Sequence, residues 1–335
     1  MDLIHCDAQG REIGVVPFIT FDGVASLEES VEENDWEMKV AESDFTAQDL
    51  TPGDYVYFPD TEWGGRVEKL VHQSGSGVVK VSGVTWRGML TRKILVPPAG
   101  QTHVVFEQTS VRAILVALAA PFGSWFAVEE GGEGGASLLC ESIRFRYRNV
   151  LEGMEELLAQ FDKRMVLRFD AERMQVRISV RSAAEHSEDI ELSGDYQTAF
   201  TSTRAEPTFN HVIALGRGEQ EQRVVRHLYL LPDGTVTEQA NAEGVASGEA
   251  ERAVICDYPY YEYESELMAK AKKMLLRYGK QDGIDFDFYS AEGELPLGDR
   301  VSIRDRVTGM ADVRTISKKL LSISADGLSL RYSVV

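Results

Sequence analysis

Cysteine is scarce in this chain, with three residues in 335: Cys6, Cys140 and Cys256. They lie far apart, their number is odd, and no C-x-x-C spacing occurs. Nothing here makes a disulfide framework, and the thiols are expected to stay reduced. Basic residues are also in short supply: 35 Lys and Arg stand against 54 Asp and Glu, a formal net charge of −19. A surface that grips nucleic acid neutralises phosphates with Lys and Arg, so this balance argues against one. It suits plain solubility, and it also suits the wall of a pore that lets DNA pass without sticking. Long apolar runs are missing too. The longest, Ala113–Phe122, covers about half of the ~20 residues a membrane-spanning helix needs. The opening residues MDLIHCDAQGREIG carry neither the basic nor the apolar region of a signal peptide. The expectation is a protein made and folded in a cytoplasm and not inserted in a membrane.

Several residue patterns of common catalytic sites are absent as well, although 54 acidic residues leave room for the paired carboxylates of glycoside cleavage. The six histidines, His5, His72, His103, His186, His211 and His227, are scattered. Neither H-E-x-x-H nor H-x-H occurs, so no metal site is expected. Asp282, Asp285 and Asp287 sit close together without the rest of a calcium loop and read as a strand start with outward carboxylates. Gly216 and Gly218 follow a strand, but there is no third glycine and no helix start, so they make a turn and not a nucleotide cradle. No G-x-S-x-G or glycine-rich G-K-[ST] loop is present. Of the four tryptophans, Trp36 and Trp86 fall in alternating strands and read as core. Trp63 and Trp125 sit nearer to loops and offer a stacking platform for a sugar. No catalytic, cofactor-binding or metal-binding residue is assigned, and no cofactor is expected.

What is present is β pattern. In Gly83–Pro98, Val84, Trp86, Leu90 and Ile94 alternate with Thr85, Arg87, Thr91 and Lys93, which predicts a long half-buried strand from Val78 to Val96. Gly88 would mark a bulge, and Pro97-Pro98 the end. Residues 12–21 read as a first strand turned by Phe21-Asp22-Gly23, and Ala25–Glu33 as an acidic loop or solvated strand edge. Thr51-Pro52-Gly53-Asp54 reads as a turn, and short strands with turns every 8–12 residues continue through the first hundred residues. Thr109 is a candidate cap for a helix over Ser110–Ala119, and Asn149 for one over Val150–Lys163. Met165–Asp170 and Met174–Arg181 form a hairpin pattern. The tract Glu129–Gly135 and the stretch Ala240–Glu251 read as loops. A third helix is predicted over Glu262–Tyr278, with Leu267, Ala271, Met274, Leu275 and Tyr278 on one stripe and Gly279 as its stop.

Two regions echo each other. Gly53-Asp54-Tyr55-Val56 and Gly298-Asp299-Arg300-Val301 share G-D-x-V. Each is followed by a basic and apolar strand, Arg66–Val71 in one and Thr315–Leu321 in the other. A duplicated β-unit would produce such an echo, and so would chance similarity between two meanders.

The expected fold is therefore mainly β with an α+β middle: two related antiparallel β-barrels plus helical insertions. The division is 1–106 for the first barrel, 107–205 for the middle domain and 206–335 for the second barrel with its inserted helix 262–278. Three stretches carry a resemblance: Gly83–Pro98; His211–Glu219 followed by Arg223 and Val224; and Leu297–Val301 with Arg304–Gly309 and Ile316–Ile323. In this order they resemble siphophage tail proteins, in particular the baseplate-hub proteins of phage tails and contractile injection machines, with residues 107–205 matching least. The resemblance implies a virion or prophage protein at the tail tip, made in the bacterial host cytoplasm. It implies two barrels per subunit, a homotrimer, and a hub that joins the six-fold tail tube to a three-fold tip. The implied partners are the tube or distal tail protein, the tape measure, and tip or fibre proteins, with DNA passing unbound. Two alternatives stand beside it: a tail-associated peptidoglycan hydrolase, and a tail protein that binds host carbohydrate through Trp63 or Trp125.

Overall fold

The computed structural model describes residues 2–27, 33–130, 138–186, 191–192, 200–203, 207–261, 263–279, 283–289 and 294–335. Over these residues the chain is mainly β. The N-terminal region supplies β1 (Ile4–Cys6), β2 (Glu12–Val15), β3 (Thr20–Ser26), β4 (Asp35–Ala41), helix α1 (Glu42–Gln48), β5 (Tyr55–Tyr57), β6 (Gly64–His72) and β7 (Val78–Thr85). Helix α2 (Trp86–Thr91) and β8 (Ile94–Leu95) lead to the middle region. This comprises β9 (Val104–Ser110), α3 (Val111–Ala119), β10 (Phe126–Val128), β11 (Leu139–Phe145), β12 (Arg148–Asn149), α4 (Val150–Ala159), β13 (Lys163–Asp170) and β14 (Gln175–Ser182). Next come β15 (Glu191–Leu192), β16 (Phe200–Thr203), β17 (His211–Leu215), β18 (Val225–Leu230), β19 (Val236–Thr237), β20 (Ala253–Asp257) and α5 (Glu264–Gly279). The chain ends with β21 (Gly283–Tyr289), β22 (Arg300–Arg304), β23 (Ala311–Ser324) and β24 (Gly327–Val334).

The residues group into two compact units, 1–199 with 286–304 and 313–335, and 200–285 with 305–312. This grouping cuts across the expected boundaries at 106 and 205. The cause is one strand pairing: Lys318–Ile323 of β23 runs antiparallel to Ser26–Phe21 of β3. The strand order is β16-β21-β24-β23-β3-β4-β7-β6-β5-β1-β2, with β22 beside β23 and β15 beside β22. The two β-rich ends of the chain therefore share one sheet.

In the larger unit, strand alternation buries Trp36, Met38 and Val40 of β4 and stacks Phe21 of β3 on Trp36. The middle region does not form a core of its own. Ile114, Leu115 and Leu118 of α3 and Leu151, Met154, Leu157 and Leu158 of α4 pack in one cluster with Phe169, Trp86, Tyr57 and Ile4. Asn149 caps α4 as expected, its Oδ1 accepting from Glu152 N at 2.8 Å. The hairpin β13–β14 holds full register from Lys163↔Ser182 to Asp170↔Gln175.

Several local expectations are corrected. The strand from Val78 stops at Thr85, and Trp86–Thr91 is a buried helix. Thr85 Oγ1 accepts from Gly88 N at 3.2 Å, a helix cap in place of a bulge. Gly88 is glycine for a steric reason, since a Cβ there would lie 2.1 Å from the Asn34 carbonyl oxygen. Phe21-Asp22-Gly23 is strand and not turn. The break falls earlier, around Pro17, because proline cannot donate to a ladder. Gly23 fits mid-strand because the Trp63 ring packs against it, 3.0 Å from where a Cβ would stand. The cap of α3 is Ser110, while the Thr109 hydroxyl donates to Glu107 O. Helix α4 ends at Ala159, before the left-handed Asp162. Residues 28–32 of the acidic run and 131–135 of the glycine tract lie outside the described residues.

In the smaller unit the order β19-β18-β17-β20 makes a mixed sheet, with β17 and β20 parallel. Helix α5 covers one face: Leu267, Ala271 and Leu275 pack on Val212, Ala214, Leu228, Leu230 and Cys256. Its start is two residues later than expected and Gly279 is its last helical residue.

Candidate functional site

The echo of the two G-D-x-V stretches is present in the backbone, bond for bond. In the first, Asp54 N donates to Thr51 O at 3.1 Å, Gly53 N to Val67 O at 2.9 Å, and Val67 N to Asp54 O at 2.8 Å. In the second, Asp299 N donates to Pro296 O at 3.4 Å, Gly298 N to Ile316 O at 2.9 Å, and Ile316 N to Asp299 O at 2.8 Å. Gly53 has φ 108° and Gly298 φ 87°, which a residue with a side chain adopts only under strain. The strand that follows carries a bulge at the same place, between Val67 and Lys69 in β6 and between Ile316 and Lys318 in β23.

Beyond the bulge the rows of side chains match. Lys69 stands opposite Ser82, which stands opposite Glu37 on β4. Lys318 stands opposite Ser333, which stands opposite Asp287 on β21. The orders β4-β7-β6-β5 and β21-β24-β23-β22 are the same. Both aspartates of the turns are buried and take a histidine. His5 Nε2 lies 3.0 Å from Asp54 Oδ2 and His186 Nε2 lies 2.9 Å from Asp299 Oδ2. Asp299 also binds Arg181 and the Ala184 amide, so each buried carboxylate is satisfied.

One charged cluster sits where these copies meet. Lys319 of β23 is 3 % exposed at its side chain and touches the carboxylate of Glu62. Its Nζ lies 2.8 Å from Glu294 Oε1 and 5.7 Å from the centre of the Trp63 ring. The cluster borders a cavity of about 170 Å³ that Arg87, Arg168, Asp60 and Leu297 also line. Arg87 is itself buried and pairs with Glu155 at 2.5 Å. Burial pushes the Lys319 ammonium down to about 7 and the Glu294 carboxyl up, since charge leaves water at both. Trp63 is buried below this lysine and Trp125 lies against Tyr55, ring centres 3.9 Å apart. The expected sugar platform at Trp63 is thus core, held there by Gly23 and Lys319.

The histidines are less scattered than the sequence suggests. His211 and His227 come together on β17 and β18, Nε2 to Nδ1 at 2.8 Å, and Glu251 Oε1 lies 2.6 Å from His211 Nδ1. Strand register made this pair, and no linear spacing announces it. Among the described residues no group of three His, Cys, Asp or Glu side chains is arranged to hold a metal ion. All three cysteines are free and buried, and burial raises each thiol, Cys6 to about 12. Such thiols stay protonated and are poor nucleophiles at neutral pH. Asp282 lies outside the described residues, and Asp287 is exposed and accepts from the Ser333 hydroxyl. Among the described residues no helix is long and apolar enough to cross a membrane.

No family model and no curated protein matches the chain. Solved structures do. The 43 kDa tail protein of prophage MuSo2 from Shewanella oneidensis superposes with a TM-score of 0.60 at 13% identity, over 100% of this chain and 98% of that one. A tail protein from Neisseria meningitidis MC58 gives 0.56 at 13% identity, over 99% and 95% of the two chains. Prophage tail protein gp18 from Listeria monocytogenes EGD-e gives 0.56 at 13% identity, over 99% and 94%. At such identity the likeness speaks for architecture, and over its whole length this chain has the fold of prophage tail proteins.

Proposed function

We propose that this protein is a structural component of a phage or prophage tail, a hub at the distal end of the tail tube. Three copies form a ring with six similar β-units, which mates with a six-fold tube on one side and a three-fold tip on the other. The observation that carries this reading is the duplication within one chain, matched in turn, bulge and cross-strand row. The fold shared with prophage tail proteins supports it. The role is one of shape: the protein is not an enzyme, and its place is the virion tail tip after synthesis in the host cytoplasm. Its partners are the tube or distal tail protein, the tape measure and tip or fibre proteins. With a net charge of −19, a ring of three presents carboxylates to passing DNA and repels its phosphates. Native mass spectrometry followed by electron microscopy of the purified protein tests the reading. A trimeric ring with near six-fold density and an acidic channel is expected. A monomer at every concentration, or a channel lined by Lys and Arg, overturns it.

A further inference from the structure

The duplicated copies differ in one respect. On the side of β23 where β22 ends, Lys318–Ile323 is filled by β3 of the other copy. The matching stretch of β6 begins at Lys69, since Val67 and Ile316 hold the same place in their turns. There β5 pairs only with Gly64–Arg66, and among the described residues no strand continues beside Lys69–His72 on that side. The exposure follows. Leu321 under β3 is 1 % exposed, whereas its counterpart His72 is exposed and Val71 is 42 % exposed. A bare edge of this kind is a template for another strand.

We infer that Lys69–His72 is the acceptor edge for a second copy of this chain, paired there as β3 is paired to β23. This rests on the ring reading above and adds the surface through which the ring closes. The intrachain junction names the occupant. β3 lies beside β4 in its copy, and β16 lies beside β21 in the other, so Phe200–Thr203 of the second copy holds the matching donor place. Within one chain β3 joins the copies; between chains β16 does, and the contact is head-to-tail. Head-to-tail contacts of one kind close into a ring when the rotation allows. Main-chain hydrogen bonds supply the pairing, so the edge tolerates the change of side chain from Leu320 and Leu321 to Val71 and His72.

A proline scan of the intact protein tests this: Lys69→Pro, Leu70→Pro, Val71→Pro and His72→Pro. Successive amides of a strand point to opposite sides, so one alternating pair of variants loses hydrogen bonds to β7 and the other pair does not. The second pair is expected to keep the wild-type circular dichroism and to sediment as monomer. Backbone hydrogen exchange gives an independent readout: two alternate amides of Lys69–His72 gain protection on assembly. Folded proline variants that still form trimers, or edge amides that exchange equally in trimer and monomer, overturn the inference while leaving the ring reading intact. A wild-type protein that never trimerises removes the ring reading and this edge together.

Discussion

Among the described residues the polar partners of the Lys319 ammonium are carboxylates, Glu62 in contact and Glu294 at 2.8 Å. Removing one member of such a buried group leaves the rest uncompensated, which costs more than the pair contributes when whole. Lys319→Met is expected to lower stability by about 3 kcal/mol in urea unfolding at pH 6, where the ammonium is charged. Adding Glu62→Gln and Glu294→Gln should restore most of that loss, which a mutant cycle will show. Asp305 is the opposite case, a carboxylate with donors. The hydroxyls of Ser202 and Thr308 and the Val307 amide all point at it, and they hold its pKa down to about 2. A carboxyl lowered on folding stabilises above its ordinary value and loses that contribution as pH falls through the folded value. The native protein should therefore lose stability between about pH 4 and pH 2. Asp305→Asn should flatten that part of the curve in thermal melts. Neither residue stands out in the sequence. Lys319 lies in a basic and apolar strand, and only the fold, which sets Glu62, Glu294 and the Trp63 ring around it, shows it to be buried.

Among the elements, those with their own caps were legible. Asn149 announces α4, and its removal by Asn149→Ala should cost about 1 kcal/mol, measured by chemical denaturation. Leu267, Ala271 and Leu275 announce α5, and the β13–β14 hairpin follows from its alternation and the short turn at Ala171–Arg173. Helix α2 was hidden because its residues alternate apolar and polar as a strand does. The cap at Thr85 and the lack of room at Gly88 decided otherwise. Strand β1 is not legible in the sequence because three residues are too short to show a period. Strand β3 was obscured by Gly23, whose reason is the Trp63 ring forty residues further along.

For the whole molecule, the G-D-x-V echo gave the duplication at residue resolution, since Gly53, Asp54 and Val67 recur as Gly298, Asp299 and Ile316 in the same bonds. What it did not give was the joining of the copies. Separate barrels and one shared sheet have the same strands and the same periodicity, and only the register of Lys318–Ile323 against Ser26–Phe21 tells them apart. The sharing has a direct test. Ending the chain before β22 strips β3 of its neighbour and leaves Phe21, Val24 and Ala25 on a bare edge. The shortened protein is expected to aggregate, seen as loss of soluble yield and of the native circular dichroism. A stable, monomeric N-terminal fragment would show that the first copy stands alone.

The bond from Ser322 Oγ to Asp22 Oδ1 spans 300 residues of sequence, and the β3–β23 ladder around it does the same. During synthesis β3 leaves the ribosome long before its neighbour has been translated. At ~5–20 residues per second the wait is on the order of tens of seconds. Its edge must stay unpaired and unaggregated through that interval, and pairing over such a sequence separation is expected to make folding slow.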